Sequence, residues 1–172
     1  GEVTLSALVK ESLRMRPDRV VVGEIRDGNA AMDMLQAMNT GHEGSMGTVH
    51  ANSPRDCFTR IDGMVAIAGM KIDQQAVYSQ IASALDLIVY QTRMRDGTRA
   101  VTQIAEITGM EGNVISMQDV FMRPADAVGA SVPLRPAGLI PNCYQRIIDS
   151  GQTLERGMFL KDDEVGSATR WR

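Results

Sequence analysis

Two short stretches hold most of the side chains that could do chemistry. In the first, Arg19-Val20-Val21-Val22-Gly23-Glu24-Ile25-Arg26-Asp27, a β-branched run ends in charge at Glu24. A continuous apolar run of this kind predicts a strand buried on both faces of a parallel sheet. A carboxylate at the C-terminal end of such a strand stands where open α/β sheets bind ligands. There it can orient a water for attack on a phosphoryl group, or help hold magnesium through the ion's water shell. The alternative is a solvated strand-end acid with no chemical role, and position alone does not separate the two. Asp18 precedes Glu24 by six residues. That is roughly 20 Å of extended chain, so the two carboxylates cannot share a metal site.

The second stretch is Asn39-Thr40-Gly41-His42-Glu43-Gly44-Ser45-Met46-Gly47-Thr48-Val49-His50-Ala51-Asn52. His42 and His50 flank a glycine-rich turn, with hydroxyls and Asn52 close by. His50 ends a second predicted strand and is therefore expected at the sheet edge that carries Glu24. An imidazole there can bond to a phosphate or sense its loss. Two rival readings stand beside this one. Zinc held by His42, His50 and Cys57 would need a spacing that matches no standard pattern. Histidines bonded to backbone would be structural only.

These stretches need elements to position them. The spacing of Leu5, Leu8, Val9 and Leu13 predicts a helix over residues 4–15, capped by Thr4 and stopped at Pro17-Asp18. A second helix is expected after an Asn29 cap, with Ala31, Met34, Leu35 and Met38 on one stripe and Gly41 as its stop. Ser53-Pro54 opens a third helix, to about Ala68 or Gly69, and Asp73 caps a fourth carrying Val77, Ile81 and Leu85. The period then changes. Residues 87–94, 99–108 and 114–121 read as strands joined by hairpin turns at Asp96-Gly97 and Glu111-Gly112-Asn113. Residues 123–141 read as a Pro/Ala/Gly-rich linker, 142–159 as one short helix, and 161–172 as a frayed polar tail. Helices alternating with strands, followed by a meander, predict an α/β fold with an antiparallel edge.

Composition narrows the class. The 172 residues are 44% hydrophobic but only 4% aromatic, with 12 Met, so the core is expected to be aliphatic and Met-rich. A net charge of -3 with interspersed signs gives no field for nucleic acid. Cys57 and Cys143 form no CxxC pair and read as reduced cytosolic thiols. No apolar run approaches the ~20 residues of a membrane helix. The chain opens at Gly1 in mid-pattern, which suggests a truncated start.

The first stretch resembles the Walker B segment of the type II/type IV secretion ATPase superfamily, and the second resembles that superfamily's His box. The phrases MRPDRVVVGEIRDG, DMLQAMNTGHEGSMGTVHANSPRD and IASALDLIV are most similar to the tight-adherence (Flp/Tad) pilus-assembly branch. The resemblance covers residues 1–122. It implies the C-terminal half of a RecA-like P-loop ATPase core, a mostly parallel sheet with an antiparallel meander, and a linker and helical tail over 123–172. It implies Glu24 as the catalytic glutamate, with His50 and His42 as the His box near the nucleotide. Gly23 stands where many other P-loop enzymes keep an Asp. Gly23, Arg26, Thr48 and Asn52 would line the cofactor, and Glu24 would reach magnesium through water. Arg26 could act as an arginine finger or pair with a nearby acid.

The implied function is ATP hydrolysis, with magnesium, to power pilus biogenesis or protein export. The complete protein would be a homo-oligomer, a hexameric ring, in the cytoplasm at the inner membrane against platform proteins, with no nucleic acid partner. Two alternatives are a non-catalytic assembly module of such a motor and a RecA-like nucleic-acid motor. The His box and the lack of a basic patch argue against the latter. No G-x-x-x-x-G-K-[ST] occurs in the chain, and the family's phosphate loop and acidic box lie upstream of the matched region. The chain alone is therefore expected to bind Mg-ATP very weakly. Titration calorimetry checks this, and a micromolar dissociation constant would overturn it.

Overall fold

The structure is a computed structural model that describes residues 1–161. All of the expected frayed tail except Lys161 lies outside the described residues. Two compact units are present. The first comprises residues 1–85 with 109–115, and the second comprises 86–108 with the chain from 116 onward. The segment expected as 1–122 contributes to both units, and residues 123–161 belong to the second.

In the first unit, helix α1 (Leu5–Arg14) starts where Thr4, in extended conformation, accepts a hydrogen bond from the Ala7 amide at 3.2 Å. After it, Arg16 turns to φ 52, a left-handed conformation that ends the helical run before Pro17. Strand β1 (Val21–Val22) and strand β2 (Met46–Gly47) pair in parallel, Val21 opposite Met46 and Val22 opposite Gly47. Helix α2 (Gly28–Asn39) makes the crossover between them, and α1, α3 (Asp56–Ile67) and α4 (Gln74–Ala84) all pack against it. Val9 of α1, Val20, Val22 and Met34 of α2 form one buried cluster, with Leu5, Leu13, Ile25 and Met38 packed on it.

Several expectations need correction here. The cap of α2 is Asp27, two residues before the expected Asn29. Asp27 is extended, and its Oδ1 accepts from the Ala30 amide at 2.9 Å, which places Asn29 inside the first turn. β1 is buried on one face only. Val20 and Val22 face the helices, while Val21, projecting to the opposite face, is 68% exposed. The sheet is not mostly parallel. Among the described residues parallel pairing is confined to β1 and β2, and in the larger sheet β3 pairs antiparallel with β4 and β5 with β6.

The second unit is built on that larger sheet, ordered β3 (Leu87–Arg93), β4 (Arg99–Glu111), β5 (Val114–Met122), β6 (Arg135–Pro136). Asp96 shapes the first turn by accepting from the amide and hydroxyl of Thr98 at 2.9 and 2.7 Å, with Gly97 at φ 87. The expected linker is tied down. Arg123 donates to the carbonyls of Val101 and Ala130 at 3.1 and 3.3 Å, and β6 pairs with the end of β5. Pro136 is tolerated because β6 is an edge strand. The single helix expected over 142–159 is two pieces, α5 (Cys143–Asp149) and a 3-10 turn (Arg156–Phe159), separated where Gly151 takes φ 83. Buried Glu106 accepts from Gln118 and from the Cys143 amide, which satisfies the first donor of α5. Among the described residues, no helix is long and apolar enough to cross a membrane.

The contact between α2 and α3 leaves no room at Gly28, where a Cβ would stand 2.4 Å from the backbone oxygen of Met64. Gly28→Ala is expected to destabilise the chain by about 1–3 kcal/mol through backbone displacement. Gly63→Ala, in a helix with open space around its Cβ, is expected to stabilise by about 0.5–1 kcal/mol. Denaturant unfolding measures both, and equal effects would remove the close-approach explanation.

Candidate functional site

The pairing of β1 and β2 continues beyond their formal ends. The Met46 amide donates to the Val20 carbonyl at 2.9 Å before the strands, and the Ile25 amide donates to the Thr48 carbonyl at 2.9 Å after them. Both strands run the same way, so Gly23-Glu24 and Thr48-Val49-His50 leave the ladder at one edge. There Glu24 is held at both carboxylate oxygens. Arg26 Nη2 reaches Oε2 at 2.5 Å, and His50 Nε2 reaches Oε1 at 3.2 Å.

The Glu24 side chain is 26% exposed, against 77% for Arg26 and 87% for His50. The hydrogen bond from Arg26 holds its carboxyl below the ordinary value of 4.5. Partial burial opposes this, and the charges of Arg26 and then His50 add to the lowering. The same hydrogen bond pushes the Arg26 guanidinium up. Glu24 therefore remains an anion at neutral pH.

The neighbours differ in what they contribute. Thr48 Oγ1 donates to the Gly23 carbonyl at 2.5 Å. A Cβ placed on Gly23 meets nothing within 4 Å. Asn52 lies exposed two residues beyond His50. The structure joins Glu24, Arg26, Thr48 and His50, but it does not bring His42 to them. The His42 carbonyl accepts from the amide and hydroxyl of Ser45 at 3.2 and 2.7 Å, and Ser45 Oγ accepts from the Val20 amide at 2.9 Å. This anchors His42 where β1 and β2 begin, at the edge opposite Glu24. Its Nδ1 is buried with no hydrogen-bond partner.

Arg60 had no distinguishing signal in the sequence. With Arg26 and the first turn of α2 it lines an open cavity of about 220 Å³. Among the described residues, no three of His, Cys, Asp and Glu are grouped to hold a metal ion. The zinc alternative thus lacks its site: His42 and His50 are at opposite ends of β2, and burial pushes the Cys57 thiol up to about 11. One carboxylate is available, which suits an ion that keeps most of its waters, as magnesium does.

Residues 1–131 match the family described as type II/IV secretion system protein. A Mycobacterium tuberculosis protein named for conjugal transfer is 46% identical over 114 residues, covering 66% of this chain and 32% of that relative. VirB11 of Agrobacterium fabrum is 38% identical over 91 residues, covering 52% of this chain and 26% of the relative. The crystal structure of the VirB11 ATPase from the Brucella suis type IV secretion system superposes with a TM-score of 0.54 at 29% identity. It covers 59% of this chain and 31% of the other. The matched region thus spans about a third or less of each of these relatives.

A carboxyl held low by a cation contributes stability that is present at neutral pH and fades as pH falls through its folded value, below 4.5. In Arg26→Gln the principal cause is gone. The Glu24 midpoint, read by NMR from its side-chain carboxyl carbon, is then expected to rise toward 4.5. An unchanged midpoint would remove Arg26 as the controlling partner.

Proposed function

Because this chain belongs to the type II/IV secretion system protein family, we propose that it carries the hydrolytic half of an ATPase site. The complete protein would be a motor driving protein secretion or pilus assembly. The supporting observation is the meeting of the two motifs. Glu24, at the end of the Walker B segment, and His50, at the end of the His box, stand 3.2 Å apart on the edge where β1 and β2 finish. Within the family, the phrases around Glu24 and His42 support the tight-adherence pilus-assembly branch.

Glu24 accepts a hydrogen bond from a water and aims it along the line of attack on the γ-phosphoryl group of ATP. Phosphoryl transfer asks for positioning and charge stabilisation more than for strong base catalysis, and an anionic carboxylate with a lowered pKa suits that demand. His50 fixes the second oxygen of Glu24 and is placed to respond when the terminal phosphate leaves. Arg26 acts as the counterion of Glu24 rather than as an arginine finger. When bound, magnesium would neutralise charge on the phosphates, with Glu24 reaching it through water. His42 takes no part in the hydrolytic step. The phosphates themselves are held by a phosphate loop elsewhere in the full-length protein. Copies form a ring, a hexamer, in the cytoplasm against inner-membrane platform proteins.

Glu24→Gln in the full-length protein is expected to lower ATP turnover by at least about a hundredfold while sparing nucleotide binding. Steady-state phosphate release and binding of a fluorescent ATP analogue check the two halves of this statement. Retained turnover would refute the assignment.

A further inference from the structure

We propose that Thr48 is a positioning residue for Glu24, acting through both peptide groups that flank it. The inference rests on the reading of Glu24 as the water-orienting carboxylate. Bonding residues along a parallel ladder recur every second residue. On β2 the step runs from Met46 to Thr48. On β1 it runs from Val20 through Val22 to Glu24. Met46 bonds to Val20, so a regular continuation would have the Thr48 carbonyl accept from the Glu24 amide. It accepts from the Ile25 amide instead, at 2.9 Å. Glu24 is thus skipped as the pairing leaves the ladder, in the manner of a bulge, a device that re-aims a side chain and is common next to active sites.

A bulge must be held on both sides, and one residue holds this one. The Thr48 carbonyl secures the amide after Glu24, and the Thr48 hydroxyl secures the carbonyl before it, that of Gly23, at 2.5 Å. Gly23 has no side chain, and nothing lies within 4 Å of the place its Cβ would occupy, so packing cannot do the same work. Without the hydroxyl, the Gly23-Glu24 peptide is free to rotate, and the carboxylate loses its aim while Arg26 and His50 can still follow it. Thr48 also ties the segment that carries His50 to the segment that carries Glu24, so the two motifs move as one body.

The test uses the full-length protein with ATP as substrate. Thr48→Val keeps the shape and removes the hydroxyl, and Thr48→Ser keeps the hydroxyl. Thr48→Val is expected to lower kcat by roughly 10–100-fold, the scale of a misplacement of about 1 Å, with KM and the affinity for a fluorescent ATP analogue nearly unchanged. Thr48→Ser is expected to restore most of kcat. Wild-type kcat in Thr48→Val, or equal loss in both variants, would overturn the proposal. If thermal melts show that Thr48→Val does not stay folded, Thr48→Ala replaces it under the same outcomes. Glu24→Gln is assayed in parallel. If Glu24→Gln is inactive while Thr48→Val is normal, only the role of Thr48 fails. If Glu24→Gln turns over, the reading beneath it fails.

Discussion

The parallel pairing of β1 and β2 is the constraint on which the site depends. Two parallel strands deliver whatever follows them to one edge and whatever precedes them to the other. Glu24 follows β1 and His50 follows β2, so they meet. His42 precedes β2, and the Ser45 bridge to Val20 fixes it at the far edge. The two histidines are eight residues apart in one motif, yet strand direction alone gives them different surroundings.

A two-residue ladder has little cohesion of its own, so its register must come from packing. Helix α2 supplies it by crossing from the end of β1 back toward the start of β2 and burying Met34 against Val20 and Val22. Its own position is set by the backbone approach of Gly28 to α3 and by the Asp27 cap. Asp27 is three residues beyond Glu24, and Arg26 lies between them. The start of the helix that fixes the strand pair is therefore continuous with the carboxylate site. A shift of α2 along its axis would move Arg26 and Glu24 with it.

What was legible in the chain follows from what is local. Thr4 and Asp73 announce their helices because a cap is satisfied within three residues, and Asp96-Gly97-Thr98 announces its turn for the same reason. The edge shared by Glu24 and His50 was also legible, since strand direction follows from the intervening helix. One failure is local and the others are not. The cap of α2 was assigned to Asn29 because both residue types cap well, and only the extended backbone at Asp27 decides between them. The stretch after Arg123 reads as loose in composition, yet a guanidinium reaching Val101, 22 residues away, holds it. The apolar run at 20–22 implies two covered faces, but whatever covers a face comes from distant segments and is not written in the strand. The role proposed for Thr48 rests on a one-residue slip in register that no pattern of residue types reveals.

The electrostatics of Glu24 constrain what it can be asked to do. Arg26 and His50 each occupy one oxygen, which looks at first like a carboxylate spoken for. A carboxylate has about four acceptor sites, so two remain for water with both contacts intact. The hydrogen bond from Arg26, above all, lowers its proton affinity, which makes it a weaker base but an anion at neutral pH. For the proposed hydrolysis, whose nucleophile needs aiming more than deprotonation, that exchange would be favourable. In the proposed role the duties at the site separate: Arg26 and His50 hold the carboxylate oxygens, Thr48 holds the peptide, and the remaining lone pairs of Glu24 would hold the water.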